Sequence, residues 1–562
     1  MTAHAHDTAT RPTRTPQPGK PPLSARLMRA TWRGLPAARH DVGCEPGLPV
    51  PAADGTPLIT DHYFPRAAGD FPTLLVRSPY GRGVPWSPLY GVLFAEQGFH
   101  VLLQSCRGTG GSGGRFDAWR DEAEDGLATV AWLREQPWFD GTLGTAGPSY
   151  MGYTQWALAL DPPPELKAMV VQMGFHDPHG FYHAGGALHL EDVLISATGA
   201  MYQHEGAVPF VKAVLRLQRR LREAAIARPL RGAYVSALGR EVPWLDGAMT
   251  HPDADAPYWH GTHHGRAADR LTVPTALATG WHDVFLDQTL EQYDRLRRAG
   301  CETALLVGPW THTSALQQGL PEMFAESLAW LRAHLCGDRS GLRPTGARVH
   351  VGGENAWRDL DDWPPRPPDA APWFPSPGGR ALTGLAPTDS APVVSFRYDP
   401  AAPTPSLGGR SLGRTAGPRD NSKLEAREDV LTFTGPPLTA PVEILGPVSA
   451  RLRVSTDTGH ADVFTRLCDV DPGGRSVNIC DGLAQVRTSG DEPSGVTMPM
   501  GSTAHRFPAG HRIRWQISGG AHPRYARNPG TGEARIDAVD HVPVRITVHA
   551  DSALLLPETG TG

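Results

Sequence analysis

The chain has 562 residues, enough for two to four domains, which excludes a small stapled fold. With 40% hydrophobic and 20% charged residues, 63 Gly and 55 Pro, it is globular and rich in turns, and few long helices are expected. A formal charge of −5 offers no broad attraction to nucleic acid or to an anionic membrane, so neither is expected as a partner. The six cysteines show no C-x-x-C pair or compact framework and are expected as reduced thiols. Residues 1–22 hold no apolar leader and no segment offers about 18 unbroken apolar residues, so the expected location is the cytoplasm.

In chain order, residues 1–22 carry too little apolar side chain to offset the entropy of ordering and are expected as a mobile tail. Residues 23–35 fit a short helix packed on the body. From about residue 50, apolar strand signals at 73–76 and 99–104, a helical pattern over 121–136 and a strand at 142–146 alternate, and strands return at 273–278 and 303–307. That alternation predicts an α/β layer, with active-site residues at the turns that follow its strands. Residues 175–270 interrupt it with His- and Gly-containing stretches and an Arg-rich helix near 211–227, read as an inserted cap. Beyond 348, strand-like runs at 393–398, 449–455, 463–467, 512–517 and 544–548 predict a mostly β domain, with the Pro/Gly/Trp tract at 357–379 as a boundary or wrapping segment. The expected division is 23–174 and 271–347 for the two parts of the α/β domain, 175–270 for the cap and 348–562 for the C-terminal domain with its connecting tract.

The strongest local signal is Gly147-Pro148-Ser149-Tyr150-Met151-Gly152, where a strand passing abruptly into a helix can project a serine from a tight turn. The usual G-x-S-x-G spacing is stretched to G-x-S-x-x-G, and the motif alone leaves Ser149 between a nucleophile and an ordinary turn serine. Serine attack needs a base for the hydroxyl proton and an acid to orient that base. Asp283, in Thr279-Gly280-Trp281-His282-Asp283, and His312, in Gly308-Pro309-Trp310-Thr311-His312, each follow a strand and give the chain order Ser, Asp, His. Each has a plainer reading: Asp283 as the cap of the next helix, His312 as a partner for loop backbone. His282 is a competing base, but it adjoins Asp283 instead of ending a separate strand.

These segments, together with Ser78-Pro79-Tyr80, Gln104-Ser105-Cys106-Arg107-Gly108 and Pro137-Trp138-Phe139-Asp140-Gly141, closely resemble the cocaine-esterase-like branch of serine hydrolases, related to X-prolyl dipeptidyl peptidases and α-amino-acid ester hydrolases. The resemblance covers most of residues 50–550. It implies an α/β-hydrolase core with an inserted, largely helical cap and a C-terminal β-sandwich or jelly roll, the latter resting on residues 457–487. It also implies Ser149 as nucleophile, Asp283 as orienter, His312 as base, and the Tyr80 hydroxyl and Tyr150 backbone N–H as oxyanion donors. The family's frequent Gln-Asp-x-Arg-Gly pattern is broken here, because Ser105 stands at the acidic position and Arg107 loses one candidate partner.

Other signals compete. Gly108-Thr109-Gly110-Gly111-Ser112-Gly113 satisfies G-x-G-x-x-G, yet the next strand lacks the acidic ribose partner, and a compact turn is the better reading. Cys106 is expected as a buried thiol. His176, His179, His183, His189, His260, His263 and His264 cluster in sequence without fixing a metal geometry, so neither metal nor cofactor is expected. The cap aromatics Phe175, Phe181, Tyr182, Tyr202, Phe210, Tyr234, Trp244, Tyr258 and Trp259 suit cap packing more than an acyl pocket. Glu191, Asp192 and Glu205 could meet a cationic substrate or mark solvent faces. The expected function is hydrolysis of a small-molecule carboxylic ester through an acyl-enzyme. An X-prolyl dipeptidyl peptidase or amide acylase is the catalytic alternative, and an inactive ligand-binding scaffold is the alternative of another class. The resemblance also allows a homo-oligomer.

Overall fold

Leu74 and Val76 pack on one side of the third strand while Leu75 packs on the other, so a run with no polar alternation is buried only if both faces of its sheet are covered. The computed structural model, which describes residues 32, 34–365, 370–376, 379–489 and 492–559, arranges such strands in a central sheet. The expected tail over 1–22 and most of the expected helix over 23–35 lie outside the described residues. The strands are β1 (Val42–Pro51), β2 (Pro57–Pro65), β3 (Thr73–Ser78), β4 (His100–Ser105), β5 (Leu143–Pro148), β6 (Leu166–Gln172), β7 (Thr275–His282), β8 (Thr303–Thr311), β9 (Ala347–Val351) and β10 (Ala356–Leu360), in the order β1-β2-β4-β3-β5-β6-β7-β8-β9-β10. From β4 through β9 neighbours pair in parallel, while β1, β2 and β10 pair antiparallel at the two margins. Helices Glu122–Leu133, Tyr150–Leu158 and Leu286–Arg298 cover one face, and Leu320–Leu335 covers the other. A parallel sheet puts all the turns that follow its strands on one edge, which is what brings residues distant in sequence together.

Between β6 and β7 the chain leaves the sheet for a helical insertion that includes Pro178–His183, Leu190–Tyr202, Ala207–Ala225, Tyr234–Leu238 and Pro243–Thr250. Its interior is aromatic: Phe181, Tyr182, Trp244 and Trp259 pack with Trp119 and Tyr153 of the core.

The C-terminal part is a sandwich of β11 (Ala370–Pro375), β12 (Leu382–Thr383), β13 (Pro392–Tyr398), β14 (Val430–Thr434), β15 (Val442–Thr456), β16 (His460–Val470), β17 (Ser476–Arg487), β18 (Ser494–Phe507), β19 (Arg512–Ser518), β20 (Val544–His549) and β21 (Ala553–Thr559). One sheet runs β12-β11-β21-β15-β20-β13 with β18 also on β15; the facing sheet runs β14-β19-β16-β17. Inward residues such as Leu452, Val463, Phe507, Trp515 and Ile546 fill the space between them. The chain is therefore an α/β core with helical insertions and a β-sheet-rich C-terminal domain. The expected division at 347/348 falls inside β9, and the start of the 357–379 tract is strand β10, because Val349 and Val351 complete the apolar layer under the central sheet. Backbone bonds between Gly352 and β18 join that sheet's margin to the sandwich. Among the described residues no helix is long and apolar enough to cross a membrane.

Candidate active site

Ser149 sits between β5 and the helix Tyr150–Leu158 with φ 59° and ψ −125°, a backbone state that a non-glycine residue occupies only under constraint. Several contacts impose it. The Ser149 N–H donates to the Gln172 carbonyl at the end of β6 (3.0 Å). The buried Gln155 amide donates to the carbonyls of Gly147, Met151 and Val170 and accepts from the Thr145 hydroxyl, bracing the turn from beneath. A Cβ on Gly147 would lie 2.5 Å from the Met151 Cβ, and one on Gly152 would lie 2.7 Å from the Gly174 Cα. The second glycine of the stretched motif thus serves the approach of helix to strand, one position later than the usual spacing places it.

Asp283 follows β7 and is wholly buried; it accepts from the Thr279 hydroxyl (2.7 Å) and the Phe285 N–H (3.3 Å), and its Oδ1 lies 2.8 Å from His312 Nδ1. His312 follows β8 and opens a short helix whose Thr311 and Ser314 cap each other, fixing the direction in which the imidazole leaves the sheet. The reading of Asp283 as a simple helix cap is incomplete, since its carboxylate also engages His312. Tyr80 lies two residues past β3, its ring stacked on Trp86 at 5.5 Å and its hydroxyl 3.2 Å from Ser149 Oγ. Tyr150 follows Ser149 directly and opens the next helix, so its backbone N–H lies on the same side of the turn as that phenol. Burial raises the Tyr80 pKa, the bond to Ser149 opposing, so the phenol keeps its proton and remains a donor. The Tyr150 ring points elsewhere, donating to Glu122 (3.0 Å) and accepting from the Trp119 N–H (2.8 Å).

Ser149, Tyr80 and His312 open on one cavity of about 600 Å³. Among the described residues Ser149 makes no hydrogen bond to His312; its hydroxyl is paired with Tyr80. Of the nine cap aromatics, Phe210 alone lines this cavity; Phe175, Phe181, Tyr182, Trp244 and Trp259 are cap and core packing. Sequence reasoning missed Trp86, the cap residues Ile195, Leu217 and Leu221, and the loop residues Leu412 and Thr415 of the C-terminal domain. The apolar face of Ala207–Ala225 is a signal for Leu217 and Leu221; nothing local marks the loop.

The competitors are placed apart. His282 is half-buried and lines a separate cavity with His350, His505 and Asp469, its pKa lowered to about 4 by loss of solvent around the imidazole. Cys106 is buried beside Glu122 and Arg77, and burial pushes its thiol well up. Gly108 to Gly113 form a closed turn, the Gly108 N–H donating to the Gly113 carbonyl, and the next helix starts only at Glu122. Arg107 keeps partners despite Ser105: Asp125 and Asp54, each at 2.7 Å; Ser105 instead accepts from Arg82 at 2.6 Å. Among the described residues no group of three or more His, Cys, Asp or Glu side chains is placed to hold a metal ion.

Residues 54–314 match the model of the X-Pro dipeptidyl-peptidase (S15) family, and residues 343–553 match that of the X-Pro dipeptidyl-peptidase C-terminal non-catalytic domain. The cocaine esterase of Rhodococcus sp. (strain MB1 Bresler) is 33% identical over 535 residues, spanning 86% of this chain and 92% of that protein. A solved α-amino acid ester hydrolase superposes with a TM-score of 0.79 at 21% identity, covering 98% of this chain and 100% of its own. A CocE/NonD family hydrolase from Staphylococcus aureus superposes at 0.69 and 16% identity, covering 92% and 94%. Fold and matches together define a serine-dependent hydrolase of α/β-hydrolase architecture. The chain belongs to the CocE/NonD family related to the X-Pro dipeptidyl peptidases.

Proposed function

We propose that the chain hydrolyses small-molecule carboxylic esters through an acyl-enzyme on Ser149. His312 takes the Ser149 proton at Nε2 as the oxygen attacks the carbonyl carbon, and Asp283 holds Nδ1–H and stabilises the imidazolium. The carbonyl oxygen, gaining charge, is met by the Tyr80 hydroxyl and the Tyr150 N–H. The alcohol leaves with the proton from His312, and a water repeats the sequence to release the acid. The resting Ser149 hydroxyl turns from Tyr80 toward His312 as substrate displaces it.

The observation that carries this reading is the convergence on one cavity of the Ser149–Tyr80 contact at 3.2 Å and the His312–Asp283 pair at 2.8 Å. The mainly apolar cavity and the esterase named among the relatives favour an ester over a peptide amide. The six free thiols agree with a reducing compartment such as the cytoplasm. Time-resolved intact mass with a panel of p-nitrophenyl esters and X-Pro amides tests the reading. We expect a transient acyl adduct with at least one ester, absent in Ser149→Ala. Equal turnover by parent and S149A overturns it, and turnover of X-Pro amides alone moves the assignment to peptidase.

A further inference from the structure

The wall of the catalytic cavity is apolar or neutral except at His312, Arg414 and Glu191. Arg414 is exposed. Glu191 lies in the first turn of the cap helix Leu190–Tyr202, half-buried, and among the described residues its carboxylate has neither hydrogen-bond nor ion-pair partner. An unpaired carboxylate against an apolar wall is costly, and a cation delivered beside it relieves that cost.

Its position is fixed from both sides. The neighbouring Asp192, wholly buried, accepts from the Ser411 hydroxyl and the Leu412 N–H, each at 2.7 Å, tying the helix start to a loop of the C-terminal domain. On that loop Gly413 leaves the room Glu191 occupies: a Cβ there would lie 2.7 Å from the carboxyl carbon. Glu191, Ile195 and Thr198 share one stripe of the helix with Gly199, where a Cβ would touch the Tyr80 ring at 3.7 Å. Eight residues separate Glu191 from Gly199, about 12 Å along the helix axis.

We infer that Glu191 recognises a cationic substituent, a quaternary or protonated amine, carried by the substrate one chain length away from the carbonyl that Ser149 attacks. This rests on the reading of Ser149 as the reacting group. Burial, and then Asp192, push the Glu191 carboxyl up to about 7, with Arg524 opposing. Its charge is therefore gained as pH rises through neutrality, and recognition strengthens in that direction. Asp192 faces it from its own helix, Arg524 and Arg414 from the C-terminal domain, and His312 from the core.

The test compares matched ester pairs whose charge does not titrate. On the acyl side these are phenyl 6-(trimethylammonio)hexanoate and phenyl 7,7-dimethyloctanoate; on the alcohol side, 6-(trimethylammonio)hexyl acetate and 7,7-dimethyloctyl acetate. The readout is the kcat/KM ratio of cationic to neutral ester, in which the titration of His312 cancels. We expect the parent ratio to exceed that of Glu191→Gln about tenfold at pH 8 in one series, to fall toward pH 6, and to stay flat with pH in E191Q. Equal ratios in both proteins and both series overturn the inference while leaving the hydrolase reading intact. If no ester is hydrolysed, the ester reading fails, and calorimetric binding of hexyltrimethylammonium ion to S149A and to S149A/E191Q decides the matter for Glu191. Weaker binding by the double variant supports it, and equal binding overturns it.

Discussion

Replacing Tyr80 by Phe removes one oxygen and little else. The ring keeps its stack on Trp86 and its place beside Gly199 of the cap helix, so the cavity should keep its shape. What is lost is the hydroxyl 3.2 Å from Ser149 Oγ, which burial keeps protonated at neutral pH. The Tyr150 N–H stays in place and can serve the carbonyl oxygen alone. Loss of one of two such donors costs about 2.7–4 kcal/mol in the transition state, roughly 10²–10³ in rate. The ground-state ester carries little charge on that oxygen and should bind nearly as before. Stopped-flow release of p-nitrophenol from p-nitrophenyl butyrate, over a range of enzyme in excess, separates the acylation rate constant from apparent binding. The rate constant should fall by the stated factor with a small change in binding. A Y80F acylation rate within about threefold of the parent, well short of that loss, would refute the donor role.

Asp283→Asn should lower kcat by about 10⁴, because an amide facing His312 Nδ1 can favour the tautomer that presents a proton, not a lone pair, to Ser149; steady-state rates on the same ester check it, and a loss below tenfold would count against Asp283 as the orienter. Gly152→Ala forces a Cβ to about 2.7 Å from the Gly174 Cα, where only backbone can yield, so unfolding free energy should drop by about 1–3 kcal/mol. A urea midpoint equal to the parent's would show that helix and strand have room to part.

Much of the central sheet is legible because buried parallel strands are short apolar runs: 73–76, 99–104, 273–278 and 303–307 all fall within or across β3, β4, β7 and β8. β1 escapes notice because Gly and Pro interrupt it, with a register shift between Glu45 and Leu48, and β2 because polar residues break its apolar run. β9 and β10 go unseen because each is only five residues long and β10 lies at the start of the Pro/Gly/Trp tract; pairing with β8 is what joins them to the central sheet. At the site, Ser149, Asp283 and His312 each follow a strand, and that placement is readable. The cavity wall is not. Trp86 enters it from the turn after β3 and Leu412 from a loop of another domain, and no periodicity links positions more than 300 residues apart. The Arg466–Asp481 pair shows the same limit. Burial by itself would raise the Asp481 carboxyl, yet Arg524, Arg466 and Arg410 together hold it well below the usual carboxylate range, and two of those partners lie on other segments of the chain.

The bond from Asp192 to Ser411 and Leu412 has a bearing on how such enzymes diversify. It makes the reaction chamber a junction of three gene segments, with the sandwich contributing part of the lining. A graft of a foreign C-terminal module onto this core would thus re-tune which molecules enter. A truncated core lacking the module would present its serine beneath an open roof.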